Sequence, residues 1–147
     1  YQQVSGEKSG HQEVVRVRFD SDKISYSNLL QHYWRNIDPL DGEGQFCDRG
    51  DSYRPVIFTS GENQAAEAQS SVASVASELG IPKTKIKVQI RDAVQFWPAE
   101  DYHQNYANNN ELRYRYYRFS CGRDRRLDAV WGDRARTGTA WVTPVAK

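Results

Sequence analysis

Three short polar stretches carry the side chains able to do chemistry. GHQE, residues 10–13, ends on the carboxyl of Glu13. GQFCDRGDSYRPVIF, residues 44–58, crowds Cys47, Asp48, Arg49, Asp51, Tyr53 and Arg54 together before an apolar run. FWPAEDYHQNY, residues 96–106, sets His103 between Tyr102 and Tyr106. A carboxyl that keeps its proton can serve as a general acid, and a thiolate can serve as a nucleophile or an exchange partner. Each group also has an ordinary reading. Glu13 heads an apolar segment, where a carboxylate is more often solvent-facing, and His103 has the neighbours of a hydrogen-bonded structural histidine.

The two cysteines differ in setting. Asp48 follows Cys47 directly, and a neighbouring carboxylate raises a thiol pKa, so Cys47 reads as half-buried and inert. Cys121 has Arg118, Arg123, Arg125 and Arg126 nearby in sequence and stands just before an expected helix N-terminus. Both features favour its thiolate and make it the better candidate for exchange chemistry. Two cysteines so far apart define neither a disulfide framework nor a metal cluster, but a redox pair stays open.

The elements that must position these groups follow from periodicity. Val14, Val15, Val17 and Phe19 alternate with Arg16 and Arg18, which predicts a strand over residues 10–20. Ser25 is placed to cap a helix running to about Asn36 with Leu29, Leu30, Tyr33 and Trp34 on one face, and Asp38-Pro39 ends it. Residues 40–52 form a long polar loop and residues 53–60 a second strand. An Ala- and Ser-rich amphipathic helix fits residues 62–79, stopped by Gly80 and Pro82. Residues 85–91 alternate with Ile86, Val88 and Ile90 on one face, predicting a third strand. After a loop at 96–100 come a short helix over 101–107, the break Asn108-Asn109-Asn110, helices over 112–119 and 123–131, and a tail from Gly132. This order predicts an α+β fold, a mixed sheet with helices packed against it.

Bulk properties set the remaining bounds. The 147 residues fit one domain, and nine Tyr, five Phe and four Trp allow a core despite modest apolar content. The net charge is +1, but residues 113–136 hold eight Arg against three Asp. RYRYYRF, residues 113–119, alternates Arg with aromatics as single-strand nucleic-acid binders do. A helix that buries tyrosine rings and solvates arginines accounts for it better, so no nucleic-acid partner is expected. No apolar run is long enough to span a membrane.

Read in order, SGHQEVVRVRFD, ISYSNLLQHYW with NIDP, GQFCDRGDSYRPVIF and FWPAEDYHQNY resemble the motifs of the A-type peptide methionine sulfoxide reductases. The resemblance covers residues 1–106, and RYRYYRFSCGRDRRLDAVWG resembles a C-terminal extension of one bacterial branch. It implies a ferredoxin-like plan, with a reductase-like domain over residues 1–120 and an Arg-rich extension and tail over 121–147. It also implies reduction of methionine-(S)-sulfoxide, free or in proteins, without a cofactor, by a cytoplasmic or exported monomer recycled by thioredoxin. Glu13 then matches the acid that protonates the sulfoxide oxygen. Tyr1 and Tyr53 match the tyrosines that hydrogen-bond that oxygen, Asp48 a pocket-wall carboxylate, His103 a rim histidine and Cys121 a resolving or recycling thiol. Cys47 stands where the family often has Asn and is expected to be a bystander. The family's nucleophile lies in a GCFW motif upstream, and this sequence contains no GCFW. The family's N-terminal strand and helix are expected to be missing with it. Three readings follow: a reductase domain given without its nucleophile segment, an inactive module that binds methionine or its sulfoxide, or a reductase in which Cys47 or Cys121 has taken over as nucleophile.

Overall fold

Ser25 opens the first helix, α1 (Tyr26–Trp34), with extended backbone, and its hydroxyl accepts the Asn28 N–H at 3.1 Å. The structure is a computed structural model that describes residues 10–142, so Tyr1 lies outside the described residues. Beyond α1 the chain turns at Asp38-Pro39 into a tight hairpin, β1 (Gly44–Gln45) and β2 (Asp48–Arg49), paired antiparallel. Gly44 is required there. Its φ is +152°, and a Cβ would come within 2.2 Å of the Asp48 carbonyl oxygen. A 3-10 turn at Asp51–Tyr53 then leads into β3 (Val56–Thr59).

Helix α2 (Glu62–Leu79) crosses over to β4 (Gln89–Asp92), which pairs parallel to β3 with Val56 opposite Gln89. This is the crossover geometry that parallel strands require. The helix bounds match those read from the sequence, and Gly80 closes α2 in the left-handed conformation. β4 begins four residues later than the alternation predicts, because Lys83–Lys85 forms a 3-10 turn. Ile86, Val88 and Ile90 still share one face packed against the core. A 3-10 turn at Asp101–His103, a single turn α3 (Tyr106–Asn109), α4 (Glu111–Ser120) and α5 (Arg123–Trp131) complete the α+β fold.

The core gathers Leu30 and Trp34 of α1, Ile57 of β3, Ala68 and Val75 of α2, and Leu127 and Trp131 of α5. Both buried indoles are satisfied: Trp34 Nε1 donates to Ser71 Oγ at 2.9 Å and Trp131 Nε1 to the Ile37 carbonyl at 3.0 Å. The segment from Cys121 onward, set apart above as an extension, therefore supplies part of the same core.

Two sequence expectations need correction. Residues 10–20 form no regular strand. Their period-2 pattern suits a sheet, but a strand exists only with a partner. The segment is tied instead by the Glu13 N–H to the Ser52 carbonyl at 2.8 Å, with Val15 and Val17 exposed. Residues 132–142 are not a loose tail. Arg136 N–H donates to the Arg35 carbonyl at 2.8 Å, and Ala135 is buried. Gly138 passes so close to His32 that a Cβ would lie 2.0 Å from the imidazole Nε2.

Candidate functional site

The β1–β2 hairpin is the platform of the site. Its turn uses Phe46 at φ +57°, which leaves Cys47 exposed at the tip and starts β2 on Asp48. Cys47 is bonded to Cys121 with their Cα atoms 5.3 Å apart, a separation ordinary for a disulfide. This corrects the reading of Cys47 as an inert bystander. Asp48 lowers the attraction of a free thiolate, but it does not prevent pairing once α4 brings Cys121 over the hairpin. Cys121 does not stand alone as an activated thiol either, because its sulfur is consumed in the same bond.

Asp48 is half-buried and accepts from the Tyr117 hydroxyl, with both carboxylate oxygens at 2.6 Å. Desolvation first, and the Asp48 carboxylate second, hold the Tyr117 phenol well above its usual range, so it stays a donor. Tyr53 adds to that shift and lies in the same neighbourhood. Glu13, held by its backbone bond to Ser52, is exposed to solvent, yet nearby protein atoms partly desolvate its carboxyl. Desolvation and then the negative charge of Asp48 raise its pKa above the usual carboxylate value, while His103 opposes the rise. Glu13 thus lies within electrostatic reach of Asp48 and His103, and Tyr53 within reach of the Tyr117–Asp48 pair.

Tyr117 was missed by the motif reading. It is hidden in RYRYYRF, where four aromatics in a row of arginines give no reason to single one out. A signal does exist: Tyr117 precedes Cys121 by one helical turn, and Cys47 precedes Asp48 by one residue.

The basic C-terminal surface is largely paired. Arg118 donates to both oxygens of Asp124, Arg126 pairs with Asp38 at 2.6 Å, and Arg136 with Asp128 at 2.6 Å. Arg123 lies over the Phe46 ring, 4.6 Å from its centre. A groove of about 520 Å³ beside the disulfide is lined by Asp38, Phe46, Cys121, Gly122, Arg125 and Arg126, so the bridge borders solvent. Among the described residues no group of His, Cys, Asp and Glu is arranged to hold a metal ion, and no helix is long and apolar enough to cross a membrane.

Asp124 sits in the first turn of α5, and its bond from Arg118 keeps its carboxyl below the usual range. A depressed pKa contributes stability above the unfolded value and loses it as pH falls through the folded one. Asp124→Asn should therefore lower stability at neutral pH and flatten the acid limb of a stability-versus-pH curve, the two proteins converging at low pH, as urea unfolding at several pH values would register.

The sequence model of the family peptide methionine sulfoxide reductase matches residues 1–135. The chain belongs to this family. It is 47% identical over 133 residues to peptide methionine sulfoxide reductase MsrA 2 of Rhizobium meliloti (strain 1021), covering 90% of this chain and 66% of that protein. It is 42% identical over 132 residues to MsrA of Bacillus licheniformis, covering 90% of this chain and 72% of that one. The solved structure of Mxr1 from Saccharomyces cerevisiae in reduced form superposes with a TM-score of 0.70 at 27% identity, over 76% of this chain and 60% of that chain. The chain thus spans about two thirds of the MsrA 2 relative's length. The family match runs past the disulfide to residue 135, so α4 and α5 lie inside it, whereas residues 136–142 lie beyond it.

Proposed function

We propose that this chain supplies the acid, the oxygen-binding groups and a reducible cysteine pair for thiol-dependent reduction of methionine-(S)-sulfoxide, free or in proteins. Sulfoxide oxygen leaves as water only once protonated. The observation that carries the proposal is the Glu13 carboxyl, which desolvation and the Asp48 carboxylate hold above its usual pKa, on a backbone tied to Ser52 next to Tyr53 in the chain. In this reading Glu13 protonates the oxygen, Tyr53 and Tyr1 hydrogen-bond it, and Asp48 and His103 shape the pocket. The balance is one sulfoxide and two thiols giving one thioether, one disulfide and water. Restoring an apolar methionine side chain repairs the oxidative lesion.

By family resemblance the attacking thiol belongs to a GCFW cysteine, and Cys47–Cys121 is then a second pair that passes electrons from thioredoxin. The accessible bridge beside its groove supports that role. A monomer working in the cytoplasm suits a disulfide that is reduced and reformed in turnover, and a standing bridge suits an exported protein. The second reading, a binding module without turnover, is favoured by one observation: both cysteines of the chain are bonded to each other, leaving no free thiol.

The deciding experiment is reduction of a methionine-(S)-sulfoxide peptide by this chain with a dithiol, with the R epimer as control. Turnover of the S epimer alone is the result expected of a reductase whose cysteines suffice. Epimer-selective binding without turnover assigns the chemistry to a thiol outside these residues or supports the binding module. Neither binding nor turnover overturns the proposal.

A further inference from the structure

We propose that Tyr117 is a positioning residue of the substrate site and that the Cys47–Cys121 bridge is the latch holding it against Asp48. The inference rests on the reading of Asp48 as a substrate-pocket carboxylate, and it adds a residue and a redox dependence to that reading.

The geometry is a paired clamp. Two consecutive hairpin residues, Cys47 and Asp48, are tied to two helix residues one turn apart, Cys121 and Tyr117. Residues at i and i+4 share a helix face, so both ties pull the same face of α4 onto the same edge of the hairpin. The Cys121 N–H donates to the Tyr117 carbonyl at 3.0 Å, so the bridge continues the α4 turn that carries the phenol. Little else presses α4 to the hairpin. It buries no side chain, and Leu112, Tyr116 and Phe119 stand exposed. Its packing is against its chain neighbours α3 and α5. The Arg123–Phe46 contact lies at the start of α5, beyond the phenol.

The bridge thus turns the Tyr117–Asp48 hydrogen bond into a local event with a high effective concentration. Opening it needs two electrons. A dithiol reductant closes to its own disulfide while Cys47 and Cys121 each take up a proton as thiols, so atoms and electrons balance. Once open, the C-terminal end of α4 is no longer pinned. Asp48 then loses a fixed donor, and its carboxylate is free to rotate away from the orientation that Tyr117 imposes.

The test uses this chain with its tyrosine phenol carbons isotopically labelled, followed by NMR, and binding of a blocked methionine-(S)-sulfoxide by calorimetry. The Tyr117 resonance is assigned by its loss in Tyr117→Phe. In the bridged protein it should stay unionised beyond the range where ordinary tyrosines titrate. It should titrate earlier when a dithiol opens the bridge and equally early in Asp48→Asn. Binding should weaken about tenfold in Tyr117→Phe, the size of one lost charge-assisted hydrogen bond. Opening the bridge should weaken wild-type binding by a similar factor but leave Tyr117→Phe unchanged, because a shared mechanism cannot be lost twice. A Tyr117 resonance indifferent to the bridge, or losses that multiply, would overturn the latch. If the bridged wild type does not bind the sulfoxide, the substrate reading fails by itself and the NMR titration still decides the latch.

Discussion

Glu13→Gln is expected to slow sulfoxide reduction by about 100-fold to 10,000-fold, the span that general acid catalysis supplies. The amide keeps the shape and a hydrogen-bond donor, so binding of the sulfoxide should change far less than the chemical step. The pH dependence gives a second signature. Desolvation and Asp48 raise the Glu13 pKa, so the protonated acid persists to higher pH than for an ordinary carboxyl. The rate should therefore be full below that raised value and fall as pH rises through it. In Glu13→Gln that falling limb should vanish, since nothing remains there to titrate. Single-turnover reduction of a methionine-(S)-sulfoxide peptide across pH measures both effects, in a form of the protein that turns over. An unchanged rate constant, or a pH limb that survives the substitution, removes Glu13 from the acid role.

The site was legible where its chemistry sat in short, ordered motifs. Glu13, Asp48, Tyr53 and His103 belong to segments that resemble the family's motifs, and the fold sets Glu13 within electrostatic reach of Asp48 and His103. Helices were legible for a local reason: Ser25 and Gly80 mark ends that depend on neighbours a few residues away. What stayed hidden depends on distance along the chain. Residues 10–20 carry a strand pattern, but a pattern cannot supply a partner. The Cys47–Cys121 bond joins positions separated by 74 residues, and its effect on Asp48 through Tyr117 follows only when α4 is laid across the hairpin. Local electrostatics alone left Cys47 idle, and the bridge overturns that reading, because pairing is decided by geometry as well as by acidity.

The ordered segment 132–142 has the same origin, and it sets the largest expected change in stability. The side chains of Arg35 and Glu78 are both fully buried, their charges 3.0 Å apart. Glu78 accepts from Arg35 Nε at 3.2 Å and from Nη2 at 3.0 Å, faces Arg134 at 3.0 Å, and takes the Val142 N–H at 3.1 Å. Arg35 in turn reaches Thr139 and the Ala140 carbonyl, under the Trp141 ring. Nothing in the sequence separates these two charges from their many exposed counterparts. Glu78→Ala would leave a buried guanidinium without its counter-charge, which costs about 3–5 kcal/mol. For a domain of this size that lowers Tm by roughly 10 °C. The loss should shrink when both partners go. An Arg35→Met, Glu78→Leu pair removes the desolvation penalty along with the attraction, so it should recover most of the loss. Calorimetric melting of the two proteins separates the cases. If the pair of substitutions is as damaging as Glu78→Ala, the strap over residues 135–142 is held by Arg35's hydrogen bonds to Thr139 and Ala140 rather than by the ion pair beneath it.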